Sequence, residues 1–149
     1  MNQETKDYWQ TFVARKKLPT STAVTAWQFG SAPDELAQLV IAGIKTATCS
    51  AAIFYELENE PYPRIDEYSI ILNRQDLPVA IIQTTDVTQL PMNQVPAAFA
   101  IAEGEGDCSY DYWYQVHRDF FTAALKEIDQ SFSEDLLLVC ERFKVVDTK

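Results

Sequence analysis

With 149 residues, 47% apolar and 23% charged, the chain holds one domain of roughly 15 Å radius of gyration, and its composition is that of a folded rather than a disordered protein. A body of this size buries about two-thirds of its unfolded surface and needs neither disulfide nor metal to fold. Twelve Lys/Arg against 22 Asp/Glu give a net charge of −10, which argues against gripping DNA or long RNA by phosphate neutralisation and favours a small, weakly charged ligand.

In chain order, residues 4–17 predict a helix with Tyr8, Trp9, Phe12 and Val13 on one stripe and Pro19 beyond its end. Residues 23–29 read as extended. Ser31 is placed to cap a helix over 32–42, with Pro33, Asp34 and Glu35 in its first turn and Gly43 just past its end. Ile44–Ser50 reads as a turn feeding a strand or short helix, and the proline-marked residues 55–67 as a loop. Tyr68–Leu72 and Pro78–Val87 predict antiparallel strands joined by a hairpin loop. Residues 92–102 are weakly helical and lead into the acidic loop Glu103-Gly104-Glu105-Gly106-Asp107. Ser109 caps a helix over about 110–128, with Trp113, Val116, Phe120, Ala124 and Ile128 as the expected buried face, and Leu136–Val146 forms a last strand. The mixture lacks βαβ regularity and predicts an α+β domain around a small, mostly antiparallel barrel or curled sheet. Residues 1–22 read as a helical extension packed on a domain over 23–149.

Cys49, Cys108 and Cys140 are odd in number and far apart, which argues for a reducing, cytoplasmic setting. One histidine leaves no Cys/His zinc cluster, no cofactor is called for, and no apolar run is long enough for a membrane span.

Three groups could carry chemistry. Lys45 follows a helix end among Ile44, Ala47 and Ala51, where burial among apolar groups disfavours its charged form and makes it a candidate general base. Thr48 is a candidate nucleophile or water-orienting hydroxyl, although residues i and i+3 of a regular strand face opposite sides. Glu103, Glu105 and Asp107, in an extended chain, would share one side. They could hold a hard cation, crowd one another until one carboxyl is raised, or form an acidic loop favoured by the following helix N-terminus. Trp27 and Phe29, two apart, could stack a planar base or belong to the core. Trp113 and His117 are neighbours at i, i+4, and a lone helical histidine reads as a packing residue.

Taken in order, Trp27-Gln28-Phe29-Gly30, Ala32-Pro33-Asp34-Glu35-Leu36-Ala37, the Gly43-Ile44-Lys45-Thr46-Ala47-Thr48 element, the two strands, Ala102-Glu103-Gly104-Glu105-Gly106-Asp107 and the Trp113/His117 helix resemble the ASCH domain family over residues 23–146, in its longer bacterial subgroup. The resemblance implies a PUA-like fold, a small β-barrel flanked by helices, with a cleft for RNA or a nucleoside. It further implies a hydrolase that removes the acyl group from N4-acylated cytidine, with Lys45 as base, Thr48 as nucleophile or water-positioner and Glu105 as acid/base, Glu103 being its rival. Trp27, Phe29, Glu103 and Ser109 would surround the substrate. The alternative it carries is an RNA-binding module or a metal-dependent ribonuclease, in which case a divalent metal enters. One departure is visible: the family usually has Gly-Asp before the Ser-Ile-Ile-Leu strand, where this chain has Ile65-Asp66-Glu67.

Overall fold

The computed structural model describes residues 1–149. Five strands form one mixed sheet: β1 (Val24–Trp27), β2 (Ala47–Ala51), β3 (Tyr68–Leu72), β4 (Pro78–Pro91) and β5 (Leu137–Thr148), in the spatial order β1-β3-β4-β5-β2. Only β1 and β3 run parallel; the other three pairings are antiparallel. The expected α+β, mostly antiparallel architecture is therefore present. "Barrel" describes it loosely, because β1 and β2 remain unpaired edges. Register shifts between Ile81 and Ile82 and between Thr84 and Asp86 are bulges, which bend and twist a long strand. They let the 14 residues of β4 serve both β3 and β5 while the sheet bends until its two edges face one cleft.

Helices cover both faces. α1 (Gln3–Lys16) is capped by the Asn2 side chain, which accepts from the Thr5 N–H. It lays Trp9, Phe12 and Val13 on Ile70 and Ile81. α2 (Pro33–Ile41) buries Ala37 and Val40 against Phe29, Ile71, Ala80, Ile82 and Phe143 on the inner face. α4 (Ala97–Glu103) and α5 (Tyr110–Lys126) press Phe99, Trp113 and Phe121 onto Ala47, Ala51, Leu138 and Cys140. Each such large apolar side chain contributes about 1.5–3 kcal/mol by leaving water, so the three clusters jointly fix how the helices sit on the sheet.

Four sequence expectations change. Ser31 does not cap α2: it takes φ +61°, Ala32 holds the cap position without a side-chain bond, and Asp34 instead accepts from the Arg74 N–H at 2.8 Å, tying α2 to the β3–β4 hairpin. A short helix α3 (Ala52–Leu57) occupies the start of the expected loop, because Ile53 and Phe54 pack on the core before the prolines begin. A single 3-10 turn, Met92–Gln94, precedes α4. The buried face of α5 is Trp113, Phe121 and Leu125, with Phe120 45% exposed. The helix is rotated by about one residue from the expected stripe, and this turns His117 inward.

The missing turn glycine is also accounted for. Asp66 itself takes the left-handed conformation, φ +73°, and its N–H bonds to the Thr84 carbonyl at 2.8 Å. Asp tolerates this region better than most residues. Asp66→Gly should therefore hold or raise stability, whereas Asp66→Val should cost about 1–2 kcal/mol; urea midpoints of the two variants check this, and equal losses in both would contradict it.

Candidate functional site

The site is built where two turns meet. At the end of α2, Gly43 adopts φ +76°. Its N–H bonds to the Val40 carbonyl at 3.0 Å and that of Ile44 to the Leu39 carbonyl at 2.9 Å, the paired closure that a left-handed residue after a helix permits. The chain then reverses, and the Thr46 N–H bonds to the Ala102 carbonyl at 2.7 Å while the Thr46 carbonyl accepts from Phe143 at 3.0 Å. Lys45 is thus fixed between α2, α4 and β5, just before β2 begins. This irregular turn removes the objection of strand alternation: Lys45 and Thr48 line one hollow.

The facing turn carries the acids. Gly104 ends α4 at φ +69°, and a Cβ there would meet the Ile44 carbonyl oxygen at 2.4 Å. Gly106 turns again at φ +58°. The loop is therefore not extended, and its three carboxylates do not share one side: Glu103 and Glu105 converge on Lys45 while Asp107 turns away. Glu103, in the interior, and Glu105, at its edge, both accept from Lys45, and Asp107 accepts from the Ser109 N–H at 2.9 Å. They do not form the shared cation cradle that an extended loop would give. Ser109 in turn accepts from the Tyr112 N–H at 3.1 Å as the cap of α5 and does not line the hollow.

Glu103 is 1% exposed and Lys45 2%. Lys45 Nζ lies 3.1 Å from Glu103 Oε1, 3.2 Å from Glu105 Oε2 and 5.4 Å from the centroid of the Phe29 ring. The lysine stands among carboxylates, not among apolar groups alone. The other oxygen of Glu103 receives the Trp113 indole N–H, the Cys49 thiol at 3.3 Å and His117 Nε2 at 3.3 Å. Burial alone would raise this carboxyl. The His117 hydrogen bond, the Lys45 charge and the Trp113 N–H overcome it and hold Glu103 down at about 2, so crowding does not raise it as the sequence allowed. Burial works to lower His117, but the Glu103 carboxylate and the Trp113 carbonyl raise it. Its Nδ1 is 2.7 Å from that carbonyl, and with an acceptor at each ring nitrogen the imidazolium is the form that satisfies both. Burial first, then the Glu103 charge, pushes the Cys49 thiol well up, so it serves as a donor and not as a thiolate nucleophile.

Cys49, Glu103 and His117 offer ligand atoms within 4.8 Å of one another, a set that could bind a metal. In this arrangement those atoms are spent on one another, and the Lys45 ammonium already supplies the positive charge beside Glu103. Sequence reasoning singled out Lys45, Thr48 and both glutamates, which the structure brings to one hollow, but gave Trp113, His117 and Cys49 no role. The i, i+4 spacing of Trp113 and His117 was the visible signal; the acid they hold comes from another helix.

The hollow opens into a cleft of about 930 Å³ between the two sheet edges. β1 and the residues after it bring Trp27, Phe29 and Gly30, β2 brings Thr48 to Ala51, and Tyr55, Tyr62, Tyr68 and Phe120 complete an aromatic wall. Trp27 and Phe29 meet edge to face at 4.8 Å. Thr48, Cys49, Phe29 and Phe120 border both the cleft and the hollow, so the two are continuous.

An open, mostly antiparallel sheet flanked by helices, with its cleft between the edge strands, defines a domain of PUA-like architecture, a fold of RNA-binding type. The model of the ASCH domain matches residues 25–147, and the chain belongs to the ASCH domain family. It is similar to the crystal structure of an ASCH domain from Lactobacillus crispatus JV V101, at 32% identity over 98% of this chain and 96% of that one, TM-score 0.91. It is similar also to protein EF3133 from Enterococcus faecalis V583, at 41% identity over 99% and 91% of the two chains, TM-score 0.89. The ASCH structure from Zymomonas mobilis, at 13% identity over 85% and 67%, TM-score 0.52, shares the fold. No curated protein sequence matches the chain. No helix is long and apolar enough to cross a membrane.

Two outcomes follow. His117 is the only histidine, so its imidazole resonance should titrate above 6.5 in the folded protein and return to the ordinary value in urea. With a raised histidine and a depressed glutamate, their stabilisation is complete between about 4.5 and 6.5. It is lost as pH rises through the folded His117 value, and lost again as pH falls toward 2. A folded midpoint below 6.5 contradicts the arrangement. Gly104→Ala should cost roughly 2–4 kcal/mol, from left-handed strain plus displacement of the Ile44 carbonyl, read as a fall in the urea midpoint; an unchanged midpoint contradicts it.

Proposed function

We propose that the protein hydrolyses the exocyclic amide of an N4-acylated cytidine or a similar acylated nucleoside. The observation that carries this is the continuity of the Lys45–Glu105 pair, the Thr48 hydroxyl and an aromatic cleft of nucleoside size. Phe29 is a core residue, 4% exposed, that backs Trp27; the base stacks against the wall that includes Trp27, and the acyl carbonyl lies over Thr48 at the mouth of the hollow.

Glu103 is unsuited to proton transfer, because four donors hold it ionised. Glu105 has one partner, Lys45, and its side chain is 19% exposed. It is therefore the carboxylate free to exchange a proton. Lys45 passes a proton to Glu105 and becomes the neutral amine. The amine takes the Thr48 proton as the oxygen bonds to the acyl carbon. When the carbon–nitrogen bond breaks, Glu105 returns its proton to the departing N4, and cytidine leaves with an intact amino group. A water molecule then repeats the sequence on the threonine ester: Lys45, again relieved of its proton by Glu105, takes one from water, and Glu105 gives one back to Thr48. If Thr48 holds a water that attacks directly, the same two proton transfers suffice in one round.

The structure supports a small nucleoside over long RNA. Of the basic side chains that could form a patch (Arg15, Lys16, Lys17, Arg64 and Arg74), Arg15 is paired with Asp147 and Arg64 with Glu67. With Glu103 and Glu105 engaged by Lys45 and Asp107 turned to Ser109, the three acids are not gathered as a metal-dependent ribonuclease would use them.

Purified protein incubated with N4-acetylcytidine should release cytidine and acetate. Thr48→Val and Glu105→Gln should each lower kcat/KM by about 10²–10⁴-fold with the circular dichroism spectrum retained. Lys45→Ala should do so at a further stability loss of about 3–5 kcal/mol, because it breaks a buried pair. Absence of turnover by the native chain, or undiminished turnover by Glu105→Gln, would falsify the proposal.

A further inference from the structure

Glu141 is the buried acid that the mechanism above does not use. It lies on β5 directly opposite Thr48 on β2. Residues opposed across an antiparallel pair face the same side, with Cβ atoms about 5 Å apart, so the carboxyl stands beside the Thr48 hydroxyl on the floor of the cleft. It lines the cleft but not the hollow of Lys45, which places it on the side of Thr48 away from the amine. Its residue is 9% exposed, and no group of the chain hydrogen-bonds its carboxyl or pairs with it. Its oxygens open on the cleft and have no partner within the protein, so they are available to a molecule bound there.

We infer that Glu141 is the specificity-determining residue of this cleft, donating from its neutral carboxyl to the ring nitrogen next to the exocyclic amide of a bound aminopyrimidine. This rests on the reading of the site as an acylated-nucleoside hydrolase and narrows its substrates to amides on an amidine-type edge. With the acyl carbonyl over Thr48, the heterocycle extends into the cleft above Glu141. A carboxylic acid offers one donor and one acceptor side by side, matching a ring nitrogen lone pair and an adjacent exocyclic N–H. A donor at that nitrogen also draws charge from the exocyclic nitrogen as its bond to the acyl carbon breaks. The proton stays on Glu141, and only a hydrogen bond forms. An acylated alkylamine or aniline has no such nitrogen and gains nothing.

The neutral form is available. Burial, and then the Glu67 carboxylate, push the Glu141 carboxyl up to about 7. Facing it are Glu67, paired with Arg64, from the segment before β3, and Tyr55 from α3, itself raised by burial. Thr48 of β2 and Val87 of β4, its strand neighbours, do not titrate. Arg142, next along β5, lies over the Phe99 ring. His117 titrates across Thr48 in the hollow, so the test must separate the two.

The test is equilibrium binding of cytidine and of 3-deazacytidine, which has carbon in place of the ring nitrogen, to the native chain, Glu141→Ala and Glu141→Gln between pH 5.5 and 8.5. At pH 6 the native chain should prefer cytidine by about tenfold, the worth of one hydrogen bond. That preference should fall as pH rises through about 7, vanish in Glu141→Ala, and persist without pH dependence in Glu141→Gln, whose amide donates at every pH and leaves His117 in place. Cytidine binding with no discrimination against the deaza analogue by the native chain overturns the role of Glu141 and leaves the hydrolase reading standing. No binding of either nucleoside, together with no turnover of N4-acetylcytidine, overturns both.

Discussion

The buried pair of Lys45 and Glu103 is the constraint on which the rest of the site depends. Two charges out of water cost several kcal/mol each unless geometry and further hydrogen bonds repay it. Here the repayment comes from four elements at once. Lys45 enters from the turn after α2, Glu103 from the end of α4, Trp113 and His117 from α5, and Cys49 from edge strand β2. No one of these can move without leaving a charge or a polar group unsatisfied. The pair therefore ties the edge strand to the helices that cover it and holds the cleft mouth open at a fixed place. The Gly104 backbone, too close to the Ile44 carbonyl to carry a side chain, is the geometric condition for that meeting.

The same pair divides the work between two glutamates that are two residues apart. Glu103 is saturated with donors and serves as a fixed negative charge that positions Lys45. Glu105, turned by Gly104 and only partly covered, shares the lysine without being locked by it. With the imidazolium of His117 on the far side, two cations face two anions, so a proton can move among Lys45, Glu105 and a ligand without creating net charge in the interior. A low-dielectric site makes such neutrality valuable, and a weakly charged nucleoside is the kind of ligand that preserves it.

Much of this was legible in the sequence. Gly43 after an apolar helical stripe announced the closure that aims Lys45, and Ser109 before the Tyr110–Lys126 helix announced its cap. Two short apolar runs joined by the loop 73–77 placed β3 and β4 as an antiparallel pair. What escaped was set by tertiary contacts. The acidic loop reads as extended in one dimension, and only left-handed Gly104 and Gly106 bring Glu103 and Glu105 onto one lysine while turning Asp107 away. The rotation of α5 by one residue depends on which aromatic residues the sheet accepts, and it converts His117 from a packing residue into a partner of Glu103. Ser31 is a good cap by composition, yet it takes a left-handed turn and the start of α2 is instead tethered to the hairpin through Asp34. Glu141 sits in an apolar strand next to Arg142, where the sequence offers no way to tell a surface pair from a carboxyl facing a cavity.

The most direct measurement is a crystal structure of the protein with cytidine bound. The account predicts the base in the cleft between the edge strands, its ring nitrogen on Glu141 and its exocyclic nitrogen pointing past Thr48 toward Lys45 and Glu105. A nucleoside seated elsewhere on the surface, or one whose sugar rather than its amino edge faces Thr48, would contradict it.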